Sequence, residues 1–507
     1  MFEQALKIFD IGLLCSGAYA SGGGWSSTTG RATFEAINPA EDRVVTRIAG
    51  ANADDYERIV RCAHNAQEKW ASVPAPRRGE FIGRIGALIK EYLEDLTALV
   101  VLDTGKAVDE AKAEIVEAMD MAMMAAGQSR MMFGTVQQSQ RNKHRMYEQW
   151  LPLGVVGIIT AYNFPASVWA QNAFLSVIGG NTVVWKPSPK VPLTAIGIQQ
   201  ICNIAMAEFS FEGVFSLFMP GDNETAELLV RDVRVALVSF TGSSSVGRKV
   251  AEIVGSTLGR RHLLECSGNN GCIVDQTADL KLAARSIAFG AVGTTGQRCT
   301  STRRVIVHRT VAEPLLELLK QAFSQIKVGD PQDFDTIVGP LVDRDAVTLF
   351  EDAVRKAQEA GGRIVFGGNR IARQGYYVEP TLITGLEPGA PSVQRETFAP
   401  IVYVFVYDTL EEAIRINNGV PQGLSSGIHS TDLGNIELFL SSAGSDCGIS
   451  RVNMGTTGAD IGAAFGGEKE TGGGRTAGSD AWKGYMRRQS VCVNWGGASP
   501  WDELIRL

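Results

Sequence analysis

No two cysteines stand at CxxC spacing in this 507-residue chain; Cys15, Cys62, Cys202, Cys266, Cys272, Cys299, Cys447 and Cys492 are scattered along it. A chain this long needs no disulfide staples, so a secreted disulfide framework is excluded and a reducing, cytoplasmic setting is expected. Histidine is scarce. His64, His144, His262, His308 and His429 fall at no metal-ligand spacing, so neither a metal site nor a histidine general base is expected. No apolar run reaches the roughly 20 residues that span a bilayer. Residues 1–14 carry Glu3, Lys7 and Asp10 where a signal peptide would be cleanly apolar, so no membrane and no secretion is expected. Basic residues form no cluster and the formal net charge is −7, which argues for small-molecule partners over nucleic acid. Neither GxGxxG nor GK[ST] occurs where a strand runs into a helix.

What is present is patterned. Single cores stop growing near about 250 to 300 residues, so the length accommodates two or three domains with a cleft between them. After a Gly/Ser-rich stretch at 21–29, expected as a loop, Tyr56, Ile59, Ala63, Ala66 and Trp70 mark a helix with Asn52 as its N-cap. A second helical run extends from Pro76 through Leu96 and a third over about 106–131, so the first part reads as helix-rich. Beyond a polar segment at 137–145, short β-branched runs at 155–160, 182–185, 214–218 and 235–240 predict buried strands. Helical segments at 193–208, 225–230 and 246–255 separate them, the alternation of an open parallel sheet. A second such series begins near Cys272, with runs at 304–308, 313–326, 347–360 and 401–406. Two similar α/β domains follow, and 491–494 reads as a strand able to join another subunit's sheet.

Cys299 lies in Gly296-Gln297-Arg298-Cys299-Thr300, where a loop glycine and a basic neighbour suit a reactive thiol. A small buried cysteine is the plain alternative. Other segments offer companions. Asn163, in Asn163-Phe164-Pro165, ends an expected strand and carries an amide able to hold an oxyanion, although the tripeptide equally suits a strand-exit turn. Lys186 ends another strand at the edge where doubly wound sheets bind nucleotides, and is otherwise a solvated lysine. The run Phe240-Thr241-Gly242-Ser243-Ser244-Ser245-Val246-Gly247 leads a strand into a helix whose amino-terminal amides can take a pyrophosphate. Glu265 follows an apolar strand; as a buried acid it can serve as a base on water, or it can simply pair with a nearby arginine.

Together these segments resemble the aldehyde dehydrogenase superfamily. The likeness covers nearly the whole chain, extending to Glu396-Thr397-Phe398-Ala399-Pro400 and Phe465-Gly466-Gly467-Glu468-Lys469. It implies two Rossmann-like α/β domains with a small β oligomerisation element. In that division residues 1–133 and 154–265 bind NAD(P), 134–153 and 487–507 form the oligomerisation element, and 266–486 are catalytic. Cys299 would attack the aldehyde carbon, Asn163 and the Cys299 amide would hold the oxyanion, and Glu265 would activate water to release the acid. Thr160, Ala161, Lys186, Gly221, Phe240, Gly242, Ser243, Val246, Glu396 and Phe398 would contact the cofactor. Two departures stand out. Cys266-Ser267 replaces the Leu-Gly of many relatives, and Pro189 replaces an acid that favours NAD, so NAD is expected with NADP admitted.

Within the superfamily the likeness is to the antiquitin-like branch, carried by Asn269-Asn270, by Gly296 to Thr300, and by the run from Gly458-Ala459-Asp460 to Arg475 and on to Lys483. That branch oxidises α-aminoadipic semialdehyde, in equilibrium with piperideine-6-carboxylate, in lysine catabolism. The resemblance places the cation for the substrate carboxylate at Arg298 and the acid for its ammonium at Glu117, with Gly458 and Ala459 assisting. Spacing alone makes Glu117 a solvated helix acid beside Glu110 and Glu114. The competing readings are a broad-specificity or other semialdehyde dehydrogenase and a non-catalytic structural homologue. A homo-oligomer, a dimer or a dimer of dimers (homotetramer), is expected.

Overall fold

The computed structural model describes residues 1–458 and 460–497. The expected strands form the parallel part of a seven-stranded sheet, in the order Arg261–Glu265, Val235–Thr241, Val155–Ile159, Thr182–Lys186 and Phe215–Phe218. Helices Ser167–Ile178, Pro192–Phe209, Asn223–Arg231 and Ser244–Gly255 make the crossovers between successive strands. Trp169, Trp185, Phe174 and Phe215 pack under this sheet in the largest core cluster. A second seven-stranded sheet is parallel from Thr381–Thr384 through Ile401–Tyr407, Thr302–His308, Asn270–Val274 and Ser425–His429 to Ile449–Val452. Arg363–Phe366 joins its edge antiparallel. The α/β reading of two such sheets is therefore correct.

The first part holds more strand than its sequence suggests. Ala18–Ala20 and Gly24–Trp25 extend the first sheet antiparallel, so the stretch at 21–29 is not wholly loop. Leu14–Ser16, Arg43–Ala49 and Thr33–Asn38 make a separate small sheet. Leu14–Ser16, Ala18–Ala20 and Gly24–Trp25, of two or three residues each, are too short to display alternation. Helix Ala53–Ser72 starts, as expected, at Asn52, through a reciprocal capping box with Asp55. The run expected from Pro76 through Leu96 is two helices, Ala75–Glu91 and Leu93–Thr104, broken at Tyr92. Leu88, Ile89 and Leu96 are buried on both sides of the break, so apolar periodicity runs straight through it.

The terminal strand, Met486–Asn494, pairs along its whole length with His144–Pro152 of its own chain, and Thr135–Gln137 pairs the other side of that central strand. The outer edge of Met486–Asn494 has no partner strand among the described residues. Residues 498–507 lie outside them. No described helix is long and apolar enough to cross a membrane.

Candidate active site

The carboxyl ends of four neighbouring strands fall in line. Ile159 pairs with Lys186 on one side and Phe240 on the other, and Thr241 pairs with Glu265. The second sheet presents its opposite edge, since Ser267, Cys299, Glu396 and Phe398 sit in loops leading into Asn270–Val274, Thr302–His308 and Ile401–Tyr407. The two edges line a cleft of about 1650 Å³. Asn163, Glu265 and Cys299 meet there with Thr160, Ala161, Lys186, Phe240, Gly242, Ser243, Val246, Glu396, Phe398, Glu117, Arg298 and Gly458. Gly221 does not line it; its amide bonds Ala51 O at 3.4 Å, beside Gly50. Ala459 lies outside the described residues.

The loop carrying Cys299 is held by its backbone. Gly296 adopts φ +68°, and a Cβ there would stand 2.6 Å from the Ala399 carbonyl carbon, so only glycine lets this loop lie on the Glu396-to-Pro400 segment. Asn270 Nδ2 donates to the carbonyls of Cys299 and Ser301, both at 2.8 Å, while its Oδ1 accepts from Ser425 N. A Cβ at Gly268 would lie 2.1 Å from Cys299 O. Burial pushes the Cys299 thiol up to about 12, with the charges of Glu265 and Glu396 adding and two backbone amides opposing. The thiol is thus protonated at neutral pH. Arg298 does not relieve this: its guanidinium is committed to Glu110 at 2.8 Å and to Thr294 Oγ1 at 3.0 Å. The expectation that it favours the thiolate is corrected.

Glu265 ends its strand buried in the cleft wall, with no side-chain hydrogen bond to either carboxylate oxygen among the described residues. Burial raises it well above the usual carboxylate range, against the pull of Arg475 and the Gly467 amide. Glu396 rises to about 7 through burial, opposed by Arg303, whose Nη2 lies 3.6 Å away. Burial lowers Lys186 to about 8.

Asn163 is not at a strand end. The strand stops at Ile159, and Asn163 sits in the turn entering helix Ser167–Ile178. Beneath that turn lies a pair that sequence reasoning missed. Glu114 bonds Lys106 Nζ at 2.5 Å and accepts from the amides of Ala166 and Ser167 at 2.7 and 3.4 Å. Lys106 stands 3.7 Å over the Phe164 ring. Glu117, also no solvated acid, is mostly buried and accepts from Gln171 Nε2 at 3.1 Å.

The cleft suits a dinucleotide. Helix Ser244–Gly255 points its amino terminus into it, with Ser243 as N-cap, and Ser244 Oγ and Glu396 Oε1 line it without hydrogen-bond partners. Lys186 Nζ has only a 3.5 Å contact to Pro187 O. Of the two departures, Cys266 packs against Gly247 and Phe240 in the core, while Ser267 Oγ accepts from Ser244 N at 3.3 Å. Pro189 lines the cleft. Among the described residues, no cluster of His, Cys, Asp and Glu is able to hold a metal.

Comparison with known proteins agrees with this geometry. The pattern of the aldehyde dehydrogenase family matches residues 25–491. α-Aminoadipic semialdehyde dehydrogenase of Rattus norvegicus is 44% identical over 469 residues, 92% of this chain and 87% of that protein. The putative aldehyde dehydrogenase family 7 member A1 homolog of Caenorhabditis elegans is 43% identical over 98% of this chain and 94% of its own. Among solved structures, betaine aldehyde dehydrogenase of Staphylococcus aureus in complex with NAD+ superposes with a TM-score of 0.92 at 27% identity, covering 98% of both chains. The chain belongs to the aldehyde dehydrogenase family, whose enzymes work with NAD(P).

Proposed function

We propose that this chain oxidises α-aminoadipic semialdehyde, the open form of piperideine-6-carboxylate, to α-aminoadipate with NAD or NADP. One observation carries the substrate: Arg298 and Glu117 line the same cleft as Cys299, a cation for the substrate carboxylate and an acid for its ammonium. Burial raises the Glu117 carboxyl, with Glu114 adding and Gln171, Lys106 and Arg298 opposing, and an arriving ammonium would add a direct partner that favours its charged form. Relatives bearing that enzyme's name support the reading at 44% identity.

The protonated thiol needs a base. Glu265, unpaired and close enough to act on Cys299 through its charge, takes the proton and passes it to solvent. The sulfur then adds to the aldehyde carbon, and the carbonyl π pair becomes an oxyanion held by the Asn163 amide and the Cys299 N–H. A nicotinamide dinucleotide held in the cleft would supply the acceptor for the hydride that leaves that carbon. A thioester on Cys299 remains. Glu265 removes a proton from water, hydroxide adds to the thioester carbon, the C–S bond breaks and the acid departs. Lys186 and Glu396 would hold the two riboses, Phe398 would pack at the nicotinamide, and the turn from Phe240 through Ser243 and Val246, with Thr160 and Ala161 nearby, would receive the pyrophosphate. Pro189 offers no charge to repel a 2′-phosphate.

The same reading divides the chain into a dinucleotide-binding part (1–133 and 154–265), a catalytic part (266–486) and an assembly element (134–153 and 487–507). The exposed Phe133, Val136 and Trp495 support assembly of this chain into a dimer or a dimer of dimers. Eight free thiols suit a reducing compartment such as the cytoplasm. The test is steady-state kinetics with piperideine-6-carboxylate against aliphatic and aromatic aldehydes, with each cofactor. A kcat/KM at least tenfold above every other aldehyde is expected; a flat profile overturns the assignment.

A further inference from the structure

Helix Val108–Gln128 sets Glu110, Glu114 and Glu117 at i, i+4 and i+7, hence on one face. Glu117 lines the cleft and Glu114 holds Lys106; Glu110 lies just behind the lining and has a different occupation. Its Oε1 accepts from Arg298 Nη2 at 2.8 Å, and both its oxygens accept from the Thr294 amide, at 3.0 and 3.1 Å. Arg298 Nε in turn donates to Thr294 Oγ1 at 3.0 Å, closing a three-membered cycle of side chains and backbone.

Two features make this cycle more than a surface ion pair. Its side chains are only 13% and 20% exposed, and the guanidinium stands 5.6 and 5.4 Å from the Phe164 and Phe289 rings, so it has little freedom to move. Thr294 and Thr295, with φ of 53° and 54°, occupy a left-handed region that β-branched residues adopt only when their surroundings impose it. Glu110 ties down the first of them, four residues before Arg298 and five before Cys299. With Nε and Nη2 engaged, Nη1 is the guanidinium nitrogen left without a hydrogen-bond partner among the described residues.

We propose that Glu110 is a positioning residue for substrate selection: it locks Arg298 in one orientation, with Nη1 reserved for the substrate carboxylate. The proposal rests on the role given above to Arg298. A freed arginine loses the pre-organisation of its planar fork, and a rigid partner gains affinity by removing that loss before binding.

Glu110→Ala is expected to raise KM for the semialdehyde about tenfold and KM for hexanal less than twofold. Glu110→Gln, which keeps an acceptor for Arg298 and Thr294, is expected to recover most of the difference. A merely structural residue would not split the two substrates. Equal rises on both, or tighter semialdehyde binding once the Glu110 charge is gone, overturn the proposal. Arg298→Ala is measured in parallel. If its loss is equal on both substrates, the role of Arg298 fails and the proposal falls with it; if its loss is selective while Glu110→Ala changes nothing, the positioning role alone fails. Should Glu110→Ala not fold, Glu110→Asp, one methylene short of its partners, carries the test with a smaller selective rise.

Discussion

Glu114 and Glu265 are both buried glutamates beside the cleft, and their surroundings are opposite. Glu114 has an ammonium at 2.5 Å and two backbone amides for its other oxygen, so its charge is satisfied in place. Glu265 has no side-chain hydrogen bond or ion pair at either oxygen among the described residues, and the Gly467 amide and Arg475 do not offset its burial. The paired acid builds the turn that carries Asn163; the acid without a side-chain partner is the one proposed to exchange a proton. Perturbed acids of this second kind are what functional clefts retain.

That contrast breaks most visibly in activity. Glu265→Gln should lower kcat by about 10² to 10⁴, the usual worth of a positioned general base, while the protein stays folded by circular dichroism. Asn163→Ala should lower kcat by about 10² to 10³, the loss of one oxyanion donor, with little change in Cys299 alkylation by iodoacetamide. Glu114→Ala should act first on stability, leaving Lys106 buried and uncompensated at about 3 to 5 kcal/mol, read as a lower urea midpoint. If Glu265→Gln destabilises and Glu114→Ala does not, the two acids have been assigned the wrong way round.

Smaller effects sharpen the comparison through pH. Because burial raises Glu265, kcat should fall as pH drops through its raised pKa, well above the usual carboxylate value, and Glu265→Gln should remove that limb. For stability the sign is that of an acid held up in the folded state. Its contribution is complete below the unfolded pKa of about 4.3 and is lost as pH rises through the folded value. Glu265→Gln should therefore flatten the decline of stability toward alkaline pH, as followed by thermal melts. Least of all, Pro189→Glu should raise the NAD to NADP ratio of kcat/KM several-fold by repelling a 2′-phosphate.

The parts of this site legible in sequence are those whose chemistry is local. Cys299 has its glycine and its loop within three residues, Glu265 ends an apolar strand, and the Phe240 to Gly247 turn shows a strand passing into a helix. What escaped is carried by distant pairing. Glu110 and Glu114 look like a solvated helix face because their partners, Arg298 and Lys106, lie on other segments, 188 and 8 residues away. Arg298 was legible as a cation beside a thiol, but its direction was not, because Glu110 sets it. The short strand Ala18–Ala20 exists through pairing with Phe215–Phe218, and Gly24–Trp25 through pairing with Ala18–Ala20 in turn, a neighbourhood no local pattern reveals.

The role proposed for Glu265 is to complete the reaction Cys299 begins. Its most direct measurement mixes the Glu265→Gln enzyme with aminoadipic semialdehyde and NAD, follows the reduced cofactor, and weighs the Cys299 peptide by mass spectrometry. Turnover is expected to slow more after the first cycle than within it, with an aminoadipyl thioester accumulating on Cys299. Linear, unslowed turnover with an unmodified Cys299 would contradict it.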